Sequence, residues 1–177
     1  MSIAALPLLT MGLTSPFISA DSLAPSATNA AVLGDHVALV EEDIVLERAK
    51  MINTFFSERS MPLAGFGVKM VEESEKNGLD WRLIPAIAAR ESSGGKQACG
   101  YNPFGWASCK VNFKSYHEAI EVIAKNLGGN NPKTADYYEG ASTEKILHHY
   151  NGTVMPAYTG EVLAIMNMIG PKDSTTN

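Results

Sequence analysis

Glu91 closes an apolar helical stripe. Between Asp80 and Gly95, residues Ile84, Ile87, Ala88 and Glu91 are spaced i, i+3, i+4 and i+7, which places them on one face of a helix. Three are core material and the fourth is a carboxylate. Ser92-Ser93-Gly94-Gly95 predicts a helix end just after it, where the macrodipole leaves roughly −0.5 of an elementary charge. Burial and that negative end both disfavour the ionised form. A general acid working near neutral pH needs such a setting. The alternatives are an ordinary ion pair with a cation such as Arg90, or a side chain that snorkels to solvent.

Two other kinds of reactive side chain narrow the chemistry. The only cysteines, Cys99 and Cys109, bracket Gly-Tyr-Asn-Pro-Phe-Gly-Trp-Ala-Ser. An even count at short spacing favours a disulfide over two reduced thiols. Closing such a loop contributes about 2–3 kcal/mol, mainly by restricting the unfolded chain. The four histidines have no metal-ligand spacing, and His148 and His149 point to different helix faces. Neither cysteine has a His–carboxylate partner, and no cofactor is implied.

The elements that must hold Glu91 are helical. Leu39, Val40, Ile44, Val45, Met51, Ile52 and Phe55 mark an amphipathic helix within 37–59, broken by Met61-Pro62-Leu63. A second runs from about Ala64 to Lys76, with Phe66, Met70 and Val71 inward, and ends at Asn77-Gly78. Asp80 is the expected cap of the helix that delivers Glu91, and Pro85 predicts an irregular first turn. Residues 92–114 read as a long loop with room for one short β-hairpin, and loops of that length tend to carry function. Ser115-Tyr-His-Glu118 is a capping box before the stripe Ala119, Ile120, Ile123, Ala124 and Leu127. Short elements over 134–139 and 143–149 follow, then a last helix from Pro156 or Tyr158 to Ile169. The expected class is all-α.

The 177 residues suffice for one domain with a sizeable core. A net charge of −5, with no basic cluster interleaved with aromatics, argues against nucleic acid as a partner. Residues 1–20 carry no charge and end in Ile18-Ser19-Ala20, which resembles an export signal without its basic leader. Residues 21–38, rich in Ala, Ser, Asp, Asn and Pro, read as a linker. The domain is expected over 39–171, with 172–177 as a tail. The expected location is therefore outside the cytoplasm, with membrane contact only through that first segment.

Four elements in register resemble a known group. Ala86-Ile-Ala-Ala-Arg-Glu91-Ser92, Asn102-Pro-Phe-Gly-Trp106, Phe113-Lys-Ser-Tyr-His-Glu-Ala-Ile120 and Tyr150-Asn151-Gly152 are similar, in order, to the bacterial glucosaminidase family of lysozyme-like cell-wall hydrolases. The lytic transglycosylases come next, and the likeness covers roughly 52–169. It implies a lysozyme-like helical fold, a peptidoglycan partner and Glu91 as the acid. It also implies that Tyr150 lines the catalytic centre, with Tyr158 competing for that role. Ser92 and Asn151 would serve substrate or merely the local turn. Asn102, whose amide both donates and accepts, would meet an N-acetyl group or hydroxyl. Trp106 would offer a flat face to a sugar ring. The loop closed by Cys99 and Cys109 would hold Asn102 and Trp106 at a fixed distance from the acid, so reduction is expected to lower activity more than it loosens the core.

Glycosidases commonly use two carboxyl groups about 5–9.5 Å apart, although substrate-assisted ones need only one. Glu118, Glu121, Asp136 and Glu139 are candidates for the second, with Asp136 preferred for its place beside a tyrosine pair. The expected reaction is cleavage of β-1,4 bonds between N-acetylglucosamine and N-acetylmuramic acid. A transglycosylase that leaves anhydro ends and a non-catalytic wall-binding module are the alternatives.

Overall fold

The computed structural model describes residues 27–172. Among them every regular element is helical and no strand forms, as the all-α expectation required. The elements are α1 (Ala27–Ser57), α2 (Gly67–Lys76), α3 (Leu83–Ser92), α4 (Tyr116–Leu127), α5 (Ala135–Tyr138), α6 (Thr143–Leu147) and α7 (Tyr158–Ile169). The hairpin with room in the 92–114 loop is absent. A single bridge between Cys99 and Asn102 takes its place.

Residues 27–38, expected as linker, are helical and form the first part of α1. Pro25 is the last proline before Pro62, and Ala27, Ala30, Ala31 and Leu33 are good helix formers. The signal-like segment and the rest of the linker lie outside the described residues. A second correction concerns Leu39, Val40 and Ile44, which are exposed rather than inward. The buried stripe of α1 runs instead through Ala49, Ile52, Phe55 and Phe56.

Helix α3 is the centre of the core. Leu83, Ile84, Ala86, Ile87 and Ala88 are all inaccessible, so the helix is apolar all round rather than amphipathic. It packs most extensively on α7, while α2 packs on α4. The expected Asp80 cap is displaced. The helix begins at Leu83, and the Asp80 carboxylate accepts the Arg82 backbone N–H at 3.0 Å and its guanidinium at 2.9 and 2.7 Å. Pro85 falls in the first turn, where a backbone N–H has no intrahelical acceptor, so the turn tolerates it.

Arg82 is 3% exposed and also donates to the Gly170 carbonyl at 3.1 Å, which ties the start of α3 to the end of α7. Burial alone would raise the Asp80 pKa, but the bonds from Arg82 and its charge outweigh that and leave it below its ordinary value. The sign follows from linkage. A depressed folded pKa contributes stability above the unfolded value, and that contribution is lost as pH falls through the folded one. Asp80→Asn is expected to lower unfolding free energy at pH 7 by about 3 kcal/mol, because it strands a buried guanidinium. It should also flatten the decline in stability below about pH 4. Urea titrations of both proteins across pH measure both effects.

The second half of the chain is pinned by buried polar contacts. Ser115 caps α4 through the Glu118 N–H, but the Glu118 carboxylate accepts from the Lys114 N–H, one residue before the cap. Buried Asn126 accepts from Asn131 Nδ2 at 2.8 Å and from Thr134 Oγ1 at 2.9 Å, which fixes the path from α4 to α5. After α6 the chain widens into a π-helical turn over His148–Gly152. Such turns displace a residue from regular helical register and often occur at functional sites. Here the turn carries Tyr150 and Asn151.

Candidate active site

The C-terminal end of α3, the loop over 99–109, the π-turn and the first turn of α7 converge on Glu91. A cleft of about 300 Å³ opens there, lined by Glu91, Phe104, Gly105, Trp106, Ala107, Ser108, Tyr150 and Asn151. Arg90 is turned away, with its Nε 2.6 Å from Glu161, so it is not the partner of Glu91. The Glu91 carboxylate is divided between two environments. Oε2 lies where a side chain on Gly105 would approach it to 3.4 Å, and Oε1 is buried without a well-formed hydrogen bond.

Two tyrosines back the acid. Tyr150 and Tyr158 stack, with centroids 6.0 Å apart and planes 11° from parallel. The Tyr150 hydroxyl donates to the Phe104 carbonyl at 2.6 Å. Burial, then the charge of Glu91, then Tyr138 push its pKa well above the ordinary phenol value. The Tyr158 hydroxyl is buried and also lacks a well-formed bond. Burial, then the neighbouring Glu91 carboxylate, raise its pKa strongly as well. Both phenols therefore keep their protons throughout the working pH range, and the Tyr158 hydroxyl lies beside the Glu91 carboxylate. Tyr158, expected as a competitor of Tyr150, instead stacks with it as a pair.

Ser92 and Asn102, expected at the substrate, lie behind the cleft wall. Ser92 is 2% exposed; its hydroxyl donates to the Pro103 carbonyl at 2.7 Å and accepts from the Gly95 N–H at 3.0 Å. Asn102 is 1% exposed, and its amide brackets Trp106 by donating to the Trp106 carbonyl at 3.0 Å and accepting its N–H at 3.1 Å. Both serve the loop, because neither has hydrogen-bonding capacity facing the opening. Phe104 is buried core, whereas Trp106 is half-buried in the cleft wall, 5.8 Å from the Tyr150 ring. Asp136 is exposed on α5 and does not line the cleft.

The loop is closed by the Cys99–Cys109 disulfide, with Cα atoms 5.9 Å apart. Beyond Trp106, Ala107, Ser108 and Cys109 all adopt positive φ, at 52°, 53° and 61°. Three successive left-handed residues with side chains cost roughly 1–2 kcal/mol each. No local signal in their residue types announces this conformation.

Gly105 has φ +62° as well as its close approach to Glu91. Gly105→Ala is expected to cost about 1–2 kcal/mol of stability from backbone strain. It would also set a methyl group at van der Waals contact with Oε2 and narrow the approach to that oxygen, so activity should fall more than heat-induced unfolding alone explains. Assays well below the unfolding transition separate the two contributions.

The arrangement is one carboxylate with an oxygen at an opening, two protonated phenols behind it and an aromatic wall in front. It can donate a proton to, and recover one from, a bound polar polymer that presents flat apolar faces. Compared with protein-family models, curated proteins and solved structures, the chain shows no significant match.

Proposed function

We propose that the cleft cleaves the β-1,4-linked amino-sugar backbone of peptidoglycan, with Glu91 as general acid on a lysozyme-like helical scaffold. The observation that carries this reading is the placement of Glu91, with one oxygen at the opening and the other buried beside Tyr158. Trp106 and Tyr150 supply apolar faces suited to pyranose rings, and Asn151 at the rim supplies polar contacts. The disulfide fits an oxidising compartment such as the cell envelope.

One observation favours a nucleophile supplied by the substrate. Among the described residues Glu91 is the only carboxylate lining the cleft. A reaction with one protein carboxyl group needs its nucleophile from the substrate. In that scheme Glu91 protonates the leaving oxygen as the C1–O bond breaks. The sugar's own 6-hydroxyl then attacks C1 and returns its proton to Glu91, leaving an anhydro end and a regenerated acid. Attack by the acetamido oxygen followed by water would instead give a reducing end.

Mass spectrometry of soluble fragments from purified peptidoglycan tests the proposal. Fragments with anhydro ends support the internal hydroxyl, and reducing ends support hydrolysis. If wild-type protein releases no fragments, the catalytic reading is overturned in favour of a wall-binding module.

A further inference from the structure

We propose that the chain pairs with a second copy of itself through α1, antiparallel, each copy seating its Val40–Ile44 ridge in the groove beside the partner's Met51. This inference does not depend on the sugar-cleaving reading.

The first observation is an apolar stripe that the fold leaves uncovered. Val40, Ile44, Glu47 and Met51 follow one another at intervals of 4, 3 and 4 residues along α1. That is the spacing of a coiled-coil seam. Its three apolar members are exposed, while the core side of the same helix is Ala49, Ile52, Phe55 and Phe56. The second observation is a groove of about 450 Å³ at the C-terminal end of the stripe, between α1 and the end of α7. Met51, Phe55, Met168 and Ile169 give it an apolar lining, and Met168 is exposed there.

Ridge and groove cannot meet within one chain. Val40 and Met51 lie about 16 Å apart along a single helix, which cannot fold back on itself. A second copy solves this in one register. With a two-fold axis between residues 45 and 46, Val40 lies opposite the partner's Met51, and Ile44 opposite the partner's Glu47. A parallel pair would set ridge on ridge and leave both grooves empty.

Charge selects the same register. Asp43 and Lys50 flank the stripe on one side, seven residues apart, and antiparallel packing sets each against the other across the pair. Neither has an ion-pair partner among the described residues. Arg59, also at the groove, is already folded onto the Phe55 ring at 4.1 Å beside Glu58, which leaves Lys50 to receive the incoming acid. Glu41 faces the side of the partner's Arg48, which within its own chain binds Glu75. Glu47 is the one charged residue in the seam, a feature that restricts partners and lowers affinity. The expected dimer is therefore reversible, with a micromolar dissociation constant.

Sedimentation velocity of the full chain across the micromolar range tests this. The wild type should pass from monomer to dimer, and Ile44→Glu should stay monomeric. Asp43→Lys or Lys50→Asp alone should weaken the dimer about tenfold, since two symmetric pairs turn from attractive to repulsive. The double exchange should recover it. Circular dichroism of dilute protein confirms that these surface variants remain folded. Val40→Cys with Met51→Cys should give a covalent dimer on mild air oxidation, and Val40→Cys alone should not. A wild type that stays monomeric, a double exchange that recovers nothing, or efficient crosslinking by Val40→Cys alone would each overturn the antiparallel pair.

Discussion

Glu91→Gln should lower the rate of fragment release about 10²–10⁴-fold while leaving the protein as stable as before, or more so. The rate loss is the range for removing a positioned general acid. The stability side comes from the site itself. One carboxylate oxygen is buried without a well-formed hydrogen bond, so the folded state carries an uncompensated polar group. An amide of the same shape has no proton to transfer, and its oxygen can take the place of Oε1 beside the Tyr158 hydroxyl, which can donate to it. Unfolding free energy is therefore expected to stay level or rise by about 1 kcal/mol. A structural carboxylate would behave in the opposite way, losing stability and sparing turnover. Kinetics and urea denaturation on the same two preparations distinguish them.

Opening the disulfide is the second large effect. Reduction, or the Cys99→Ser, Cys109→Ser pair, should cost about 2–3 kcal/mol through loop closure. Activity should fall by more than tenfold even where the helical core remains intact. The two halves of the loop explain why. Residues 102–106 are held independently of the disulfide by Asn102 and Ser92. Residues 107–109 hold three successive left-handed conformations, and their far end is tied by the Cys109 disulfide and by the Lys110 N–H bond to the Ala107 carbonyl. Released, that run should relax toward ordinary φ at a gain of roughly 1–2 kcal/mol per residue, moving Ala107 and Ser108 out of the cleft wall. Glycine accepts positive φ without that penalty. Ala107→Gly with Ser108→Gly should therefore restore part of the activity of the reduced protein. If reduced and oxidised proteins turn over equally, the disulfide does not shape the wall.

The period of the apolar residues made Glu91 and its helix legible, because a stripe at i, i+3, i+4 and i+7 carries its own geometry. The cap at Ser115 was legible as well, since its hydrogen bond is local. The partners of Asp80, Ser92 and Asn102 were not. Their residue types suit a cap, a substrate contact or a turn equally well, and a guanidinium or backbone carbonyl fixed by the fold decides which. Leu39, Val40 and Ile44 misled because the period that marks a helix does not say how far the core extends along it. Asp136 lies one residue from Tyr137 and two from Tyr138, yet only the fold shows that it stands outside the cleft. The positive φ run over Ala107–Cys109 left no trace in composition, because Ala, Ser and Cys ordinarily avoid it.

The missing Cβ of Gly105 has a bearing on how such a site drifts over generations. Loss of function by divergence is usually sought at the reacting residue, and a chain that still carries its acid passes that inspection. Here a side chain at 105 would come to van der Waals contact with Glu91 Oε2, so a lineage could keep the carboxylate intact and narrow the approach to it. Under the proposed function, positions 91 and 105 together, rather than 91 alone, would separate a catalytic descendant from one that only binds.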